Sequence, residues 1–388
     1  MGRGFRMNLK LVKLALMPES QALPINKSDI SAGLSPGIQV AVDNSNLDLL
    51  RTLAVCDVVG FHLLLFFKKG NLGSIWAIGR WGVLLFFIHT SLVLMLSLER
   101  QEQKLAGTNI FWPFYIRRIF RILPLSMLVV TLIGIFNLPV GHLIHGDFQA
   151  VHLGTLGFIS NLLLLQSLTG TESITAPLWS LPYEMQMYLI LPVIYVLIRH
   201  PRSMWLTLGI WLAGTLAAYT ADKAFHAGYP SFIMLVPCFI AGIVGYQVSK
   251  TSSFRMPFVA FPITIALASF YYLRKPSPAH SWMGCLIVGL FLLCFREAPY
   301  QWVRKACHTV AQYSYGIYLT HFACIWFAFV ALGGLPLGLR WVIFAAAAAG
   351  VPVILYHTVE APLISVGHQI VNKVGARSRA WRNRFEIT

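Results

Sequence analysis

The chain has 388 residues, of which 57% are hydrophobic and 11% are charged, and its formal net charge is +16. A soluble domain carries about 25% charged residues, so this composition excludes an ordinary water-soluble globule, and the 13% share of aromatic residues excludes a disordered chain. The excess Lys and Arg residues fall in short clusters between apolar runs. This distribution is typical of a membrane protein and argues against a nucleic-acid partner.

The six cysteines of the chain include no Cys-x-x-Cys pair, and most of them lie inside apolar runs. Metal sites and redox pairs commonly use such closely spaced thiols, whereas isolated cysteines in apolar surroundings behave as small hydrophobic residues. We therefore expect no metal site and no disulfide framework.

Long apolar runs occupy most of the chain, and a helix needs such a run to cross the ~30 Å hydrocarbon core at about 1.5 Å per residue. The ten runs assigned as spans lie at residues 47–67, 79–98, 122–140, 185–198, 204–220, 231–249, 257–273, 282–295, 315–332 and 340–357. The sequence therefore predicts an all-α fold, a polytopic bundle of about ten transmembrane helices. Its membrane domain is 47–362, between a basic N-terminal segment, 1–46, and a basic tail, 363–388.

An eleventh run, 151–168, is also apolar, but its flanks differ from those of the spans. The segments 141–150 and 169–184 contain no Lys or Arg. Basic residues hold the ends of a span in the cytoplasm, so neither end of this run has such an anchor. We expect 151–168 to be a re-entrant or interfacial segment.

The basic residues alternate between the two sides of the ten predicted spans. With the termini on one side, that side holds 22 Lys and Arg residues and the opposite side holds 7. Because basic loops remain in the cytoplasm, both termini are predicted to be cytoplasmic. Residues 141–184 are then extracytoplasmic.

Two ionisable residues in the first span, Arg51 and His62, are eleven positions apart. On a helix this spacing is three turns plus ~20°, so both side chains share one face about 16 Å apart along the axis. Arg51 lies near the cytoplasmic end and His62 lies inside the bilayer. The plainer alternative is a snorkelling arginine and a core histidine that is bonded to a neighbouring helix.

A second group of charges precedes the third span, in the aromatic segment 111–124. Arg117 and Arg121 are four residues apart on one helical face, and Arg118 is about a quarter-turn away. Guanidinium groups gathered in this way bind phosphates well. The alternative is a positive-inside signal that contacts anionic lipid.

Polar side chains recur at the borders of later spans. Glu184 and Tyr188 share one helical face at the start of the fourth span, where an acid would either pair with an arginine or orient a histidine. Ser314, Tyr318 and His321 are further candidates, which follow helical spacing near the ninth span. Glu360 is another and lies at the end of the last span.

Taken together and in this order, these segments resemble acyltransferase family 3 of bacterial integral-membrane acyltransferases. That family carries an Arg-x10-His motif in its first span, an aromatic-Arg-Arg-x-x-Arg-Ile-x-Pro stretch and a Trp-Ser-Leu-x-x-Glu-x-Gln-x-Tyr element. It also has a late Ser-Tyr-Gly-Ile-Tyr-Leu-x-His segment and a Glu-x-Pro. The matching segments here run from Arg51 to His62, Tyr115 to Pro124, Trp179 to Tyr188, Ser314 to His321 and Glu360 to Pro362.

Two features depart from the family pattern. The second span of the family usually contains an acidic residue, which is missing here from 82–91, whereas His89 and, in the first span, Asp57 are added. Many members also carry a fused extracytoplasmic esterase domain of the SGNH type, which this chain lacks. We expect any onward transfer to need a separate extracytoplasmic transferase.

The resemblance implies transfer of an acyl group, usually acetyl from acetyl-CoA, to a hydroxyl of a carbohydrate or glycolipid acceptor. His62, Arg51 and Glu184 are the implied catalytic residues. His62 acts either as a general base on the hydroxyl or as a transient acyl carrier, and the sequence does not choose between the two.

The resemblance also implies where the two substrates bind. Arg117, Arg118 and Arg121 are the implied ligands of the coenzyme phosphates. The implied substrate-binding residues are Tyr188, Ser314, Tyr318, His321 and Glu360.

Two other classes of membrane protein fit the same composition. A transporter or flippase of a lipid-linked sugar would also have about ten spans and intramembrane charges, but the paired Gly/Pro-interrupted spans of two repeat halves are not found. A non-catalytic sensor would not need an arginine triplet beside an Arg-His face. The acceptor and the acyl chain length stay open.

Overall fold

The computed structural model describes residues 44–68, 75–105, 110–144, 146–200, 203–225, 231–252 and 254–385. The predicted N-terminal segment, 1–46, therefore lies outside the described residues except for its last three positions.

The described residues form a helical bundle with one small hairpin. Its helices are α1 (Ser45–Phe67), α2 (Ile75–Leu105), α3 (Phe111–Phe136), α4 (Thr155–Leu162), α5 (Gln166–Thr169), α6 (Leu181–Ile198), α7 (Met204–Phe225), α8 (Phe232–Thr251), α9 (Ala260–Arg274), α10 (Pro278–Phe291), α11 (Gln301–Trp326), α12 (Leu337–Leu355) and α13 (Ala361–Phe385). Eight helical spans in the described part of the chain are long and apolar enough to cross a bilayer. The predicted polytopic all-α fold is confirmed.

Two of the ten predicted spans are shorter helices. The helices α9 and α10 have 15 and 14 residues, which at 1.5 Å per residue gives about 22 and 21 Å, less than the hydrocarbon thickness. The 3-10 turn Leu292–Cys294 lengthens α10. Backbone hydrogen bonds then join the far ends of the pair, from Met256 N to Cys294 O (2.7 Å) and from Arg296 N to Met256 O (2.8 Å).

The third span begins earlier than its apolar run predicts. The run starts at residue 122, but α3 starts at Phe111, so Arg117, Arg118 and Arg121 lie inside the helix and not in front of it. A span predicted from an apolar run ends where charged residues begin. The helix itself includes those residues, because arginine is a good helix former. These charges are accommodated because other helices of the bundle bring acidic side chains to them.

Apolar run 151–168 does not form a span. It breaks into α4 and α5 at Leu164, whose φ of 55° is a left-handed conformation that ends the first helix. The two helices have 8 and 4 residues, too few to cross a bilayer. This agrees with the re-entrant or interfacial segment expected from the missing basic flanks.

A short hairpin lies in the connection between α3 and α4. Its strands β1 (His142–Ile144) and β2 (Asp147–Gln149) pair antiparallel, with Leu143 opposite Phe148. The Phe148 ring packs 4.8 Å from the ring of Phe322 on α11 and 5.8 Å from that of Phe66 on α1. The hairpin is thereby held against the ends of the two helices that carry the histidines described below.

Close helix contacts in the bundle depend on glycines. In α2 and α8, 78% of the most apolar stretch is buried, whereas in α7 and in the α12–α13 span only 11% is. At the α2–α8 contact, a Cβ on Gly242 would overlap the Ile88 carbonyl and the Ser91 hydroxyl. A Cβ on Gly289 of α10 would overlap the Ala241 carbonyl of α8. Small residues let helix backbones approach in this way.

We expect Gly242→Val to destabilise the fold and Gly209→Val to leave it nearly unchanged. A valine at 242 would push against the backbone of α2, and overpacking of this kind costs typically 1–3 kcal/mol or more. Gly209 on α7 has no atom within 4 Å of its Cβ position, which makes it the matched control. The measurement is the thermal unfolding midpoint of each detergent-purified variant, and equal midpoints would contradict this account of the contact.

Candidate active site

His62 of α1 is buried and contacts a second histidine. Its Nδ1 atom lies 2.9 Å from the Val58 carbonyl oxygen and 3.1 Å from Nε2 of His321 on α11. His321 in turn places its own Nδ1 atom 3.0 Å from the Ile317 carbonyl oxygen. The exposed fraction is 7% for His62 and 0% for His321, so the pair is shielded from solvent.

These partners assign the protons of the two neutral rings. A carbonyl oxygen only accepts, so Nδ1 of His321 carries a proton and its Nε2 is an acceptor. Nδ1 of His62 then faces two acceptors and must carry a proton, which leaves Nε2 of His62 with a free lone pair. Nothing among the described residues hydrogen-bonds to that nitrogen. An imidazole nitrogen of this kind can act as a base or a nucleophile.

His62 lines a cavity of about 530 Å³. One wall comes from α1 between Val58 and Leu65, and others come from β1 and from the 3-10 turn Ala176–Ser180 that precedes α6. A reacting group in this cavity would be next to His62.

Tyr318 of α11 holds the 3-10 turn at the cavity. Its hydroxyl donates to the Pro177 carbonyl oxygen at 2.8 Å and, because that proton is used, accepts from the Ser180 hydroxyl at 2.7 Å. Tyr318 also lines the cavity. Tyr318 thus both fixes the 3-10 turn and forms part of the cavity wall.

A second cluster of charges surrounds Arg51, nearer the beginning of α1. Arg51 interacts electrostatically with Glu184 of α6, Glu360 and Arg121 of α3. Arg118 of α3 interacts with Arg121 and Glu184 in the same way. Four separate segments of the chain therefore bring charged groups together within the bundle.

The carboxylate of Glu184 is held by hydroxyl groups. Tyr188, one turn later on α6, donates a hydrogen bond to it, and Thr90 on α2 is a further neighbour with a hydroxyl group. Of the two roles expected for this acid, the structure shows the first: Glu184 lies with arginines, and His62 has a histidine beside it instead.

Glu360 reaches the cluster from a π-helical turn, Tyr356–Glu360, between α12 and α13. Such turns insert an extra residue and re-aim side chains, often at functional sites. Glu360 is 2% exposed, and both of its carboxylate oxygens lack a hydrogen-bond partner among the described residues. Arg121 and Arg51 are its electrostatic partners. Burying an acid without hydrogen bonds is unfavourable, so its presence here indicates a functional role in addition to packing.

The three arginines of α3 do not share one environment. Nη1 of Arg117 donates to the Gln101 side chain of α2 at 3.2 Å, whereas Arg118 and Arg121 face the Glu184 side. Arg117 and Arg121 are four residues apart on one helix, as predicted, but helical spacing does not show these different partners. Arg51, Arg117 and Arg118 each keep a buried Nε without a partner, so the cluster has unused donors suited to an anion.

The predicted site residues thus form two groups joined by α1. The first contains His62, Tyr318 and His321, and the second contains Arg51, Arg118, Arg121, Glu184, Tyr188 and Glu360. Ser314 is buried and donates to the Ala311 carbonyl oxygen of its own helix at 2.7 Å. Sequence reasoning missed the contact between the histidines and the roles of Ser180 and Thr90, since helical spacing relates residues within one helix only.

Comparison with known proteins identifies the family of the chain. The family model that describes an acyltransferase domain, that of acyltransferase family 3, matches residues 44–358, which contain every residue of the two groups except Glu360. No solved structure matches the chain significantly.

Several curated proteins are similar over most of the chain. Acyltransferase MdmB of Streptomyces mycarofaciens is 26% identical over 74% of this chain and 80% of its own length. Peptidoglycan O-acetyltransferase OatA of Listeria monocytogenes is 22% identical over 72% of this chain, which spans about half (49%) of that relative. Nodulation protein 10 of Rhizobium leguminosarum is 20% identical over 84% of this chain and 95% of its own. The chain belongs to acyltransferase family 3 and is a multi-pass membrane O-acyltransferase.

Proposed function

We propose that this O-acyltransferase transfers acetyl from acetyl-CoA to a hydroxyl of a carbohydrate or glycolipid acceptor. The observation that carries the proposal is the free Nε2 of His62, which is buried beside a cavity on a helix whose other end lies in an arginine cluster. The similarity to OatA, a peptidoglycan O-acetyltransferase, supports acetyl as the group and a carbohydrate as the acceptor class.

The chemistry assigned to His62 is general-base catalysis. Nε2 takes the proton of the acceptor hydroxyl as its oxygen attacks the thioester carbonyl, the carbon–sulfur bond breaks, and the proton passes to the departing thiolate. His321 helps because its Nε2 accepts from Nδ1–H of His62 at 3.1 Å, which orients the ring and stabilises the imidazolium. Such a base contributes typically ~10²–10⁴-fold. In the alternative route, Nε2 attacks the thioester itself and carries the acetyl group briefly.

The arginine cluster is proposed to bind the donor. Arg51, Arg118 and Arg121 have the guanidinium groups that recognise phosphates, and the buried unpartnered Nε atoms of Arg51 and Arg118 are donors available to such a ligand. Glu184 and Glu360 are their electrostatic partners of opposite charge. Arg51 and His62 are about 16 Å apart along α1, a separation that suits a thioester at the end of a long flexible arm.

The proposed location is the bacterial plasma membrane, with both termini in the cytoplasm. The charge bias between the loops supports it, and it puts the arginine cluster toward the side where acetyl-CoA is made. The cavity then lies toward the extracytoplasmic side, where a separate transferase would act on the product.

A cysteine at position 171, in the connection between α5 and α6, tests this orientation. In a background in which the six cysteines are replaced, Thr171→Cys should react with an impermeant maleimide in intact cells. Thr251→Cys, at the end of α8, is the matched site on the predicted cytoplasmic side and should react only after permeabilisation. The reverse pattern would overturn the orientation.

His62→Gln should reduce acetyl transfer in membranes by at least ~10², because the amide cannot take up a proton near neutral pH. His321→Gln should lose less, since that ring positions His62 and its replacement still offers an acceptor. His280→Gln, which alters a histidine that contacts Ser277 at 2.8 Å and does not line the cavity, is the control. Full expression of His62→Gln with near-normal transfer would rule out the catalytic role. A radiolabelled acetyl group trapped on wild-type protein before acceptor is added would identify the carrier route.

Arg118→Gln should raise KM for acetyl-CoA while leaving KM for S-acetyl-N-acetylcysteamine unchanged. The second thioester lacks the nucleotide phosphates, so it does not use a phosphate-binding arginine. The loss of one such charge-assisted contact, worth about 1.5–3 kcal/mol, corresponds to a KM increase of roughly tenfold or more. Arg274→Gln, near the opposite end of the bundle, is the control. Equal increases for both thioesters would show that Arg118 acts through the fold.

A further inference from the structure

The cavity beside His62 is unusually apolar for a site that handles a carbohydrate. Of its sixteen lining residues only four are polar, namely His62, Arg80, His142 and Tyr318. The rest are aliphatic, aromatic, proline or glycine. A hydrophilic polymer with hydroxyl groups on every face would lose its water here without replacement hydrogen bonds, which is unfavourable.

Three of the four polar side chains in the cavity wall already interact with other residues of the protein. The Tyr318 hydroxyl bonds to Pro177 and Ser180, and Nε2 of His142 lies 3.8 Å from the Glu172 carboxylate. Arg80 interacts electrostatically with Tyr272 of α9. The lone pair of His62 remains as the group that can accept a proton from a bound hydroxyl. The cavity therefore suits a molecule that presents one reactive hydroxyl and little other polarity.

Aromatic side chains give the cavity a place for a ring. Trp76 and Trp179 line it together with Phe61, whose ring lies 5.2 Å from that of Trp76. The C–H face of a sugar ring is apolar and packs on an aromatic surface, while its edge carries the hydroxyls. A volume of about 530 Å³ lies in the range of pockets for small ligands, roughly 300–1,000 Å³, and not of grooves for long chains.

The position of the cavity assigns it to the acceptor. Its α1 residues run from Val58 to Leu65, on both sides of His62 and beginning about 10 Å along the helix axis from Arg51, and its other walls include β1 and the turn Ala176–Ser180. The proposed donor site is at the Arg51 end. Two substrates would thus approach His62 from opposite ends of α1.

We infer that the acceptor is an amphipathic glycoside, in which a hydroxyl-bearing sugar ring is attached to an apolar portion that lies against the cavity wall. The inference rests on the proposed function and narrows it, since a soluble polysaccharide chain does not match this lining. An acyl chain of the donor is the rival occupant. It would use the apolar wall but would have no use for Arg80 and His142.

The test is photolabelling in lipid nanodiscs with octyl β-glucoside that carries a diazirine on its alkyl chain. We expect labelled residues in the cavity wall, around Val83, Leu143 and Ile144. Unlabelled octyl β-glucoside and naphthyl β-glucoside should compete, one with a chain and one with a compact ring as the apolar portion. Methyl β-glucoside and cellotetraose should require at least ~10-fold higher concentrations, because they lack the apolar portion.

Two variants control for partitioning of the probe into lipid, since all proteins are compared in the same nanodiscs. Ile144→Lys puts a charge in the wall and should reduce labelling at least ~10-fold. Leu168→Lys changes a side chain that is 66% exposed and outside the cavity and should leave labelling unchanged. If Ile144→Lys does not fold, labelling is compared between two variants of the aromatic wall. Trp76→Ala should reduce labelling, whereas Trp76→Phe, which keeps an aromatic ring, should reduce it less.

The outcomes separate this inference from the proposed function, because labelling requires no acyl transfer. Competition by cellotetraose as strong as by octyl β-glucoside, or labelling spread over the lipid-facing helices, would overturn the amphipathic acceptor. Competition by octanoyl-CoA alone would assign the cavity to the acyl chain. Binding of radiolabelled acetyl-CoA, measured on the same preparation, tests the donor half independently. Its absence with intact labelling would contradict the proposed function.

Discussion

The structure depends on one constraint: a charge inside a membrane-spanning bundle must have a partner, because the hydrocarbon core does not solvate it. Arg51, Arg118 and Arg121 lie within helices, and Glu184 and Glu360 approach them from two further segments. Opposite charges make the cluster stable enough to fold. The cluster nevertheless keeps unpartnered donors on arginine and unpartnered oxygens on Glu360, so its polar groups are not fully used by the protein itself.

Helix α1 connects this cluster with the histidine pair. A regular helix has a rigid rise, so the separation of Arg51 and His62 is set at about 16 Å. The ends of α1 are held by side chains that come from distant parts of the sequence. At the beginning, the Asn46 amide donates to the Arg296 carbonyl oxygen at 3.1 Å, and near the other end His62 meets His321. The distance between the two proposed half-sites is therefore a property of the helix and not of flexible loops.

Irregular backbone is placed where a side chain must be re-aimed. Pro124 lies inside α3, and the hydroxyl of Tyr315 donates to the nearby Ile122 carbonyl oxygen at 2.7 Å, which ties α3 to α11. The π turn before α13 directs Glu360 into the arginine cluster. Deviations of this kind are tolerated in a membrane protein because neighbouring helices satisfy the freed backbone groups.

The sequence by itself determined the helical class and the apolar segments, and it predicts Arg51, His62, Glu184 and the later polar residues as members of a site. Apolar length, charge bias and helical spacing are local properties, and they are read directly from the chain. The same locality explains where the structure differs. The third apolar run begins later than α3, because a run criterion stops at arginine, and helical spacing does not show that Arg117 meets Gln101 of α2.

Only the tertiary structure decided which helices meet. It brought His321 against His62 and gave Glu184 to the arginines, and it closed the cavity with a hairpin and a 3-10 turn that carry no periodic signal. Contacts between residues 259 positions apart, as in the histidine pair, depend on how ridges, glycines and buried charges fit between helices. That fit is a property of the whole packed bundle, and no window of the sequence contains it.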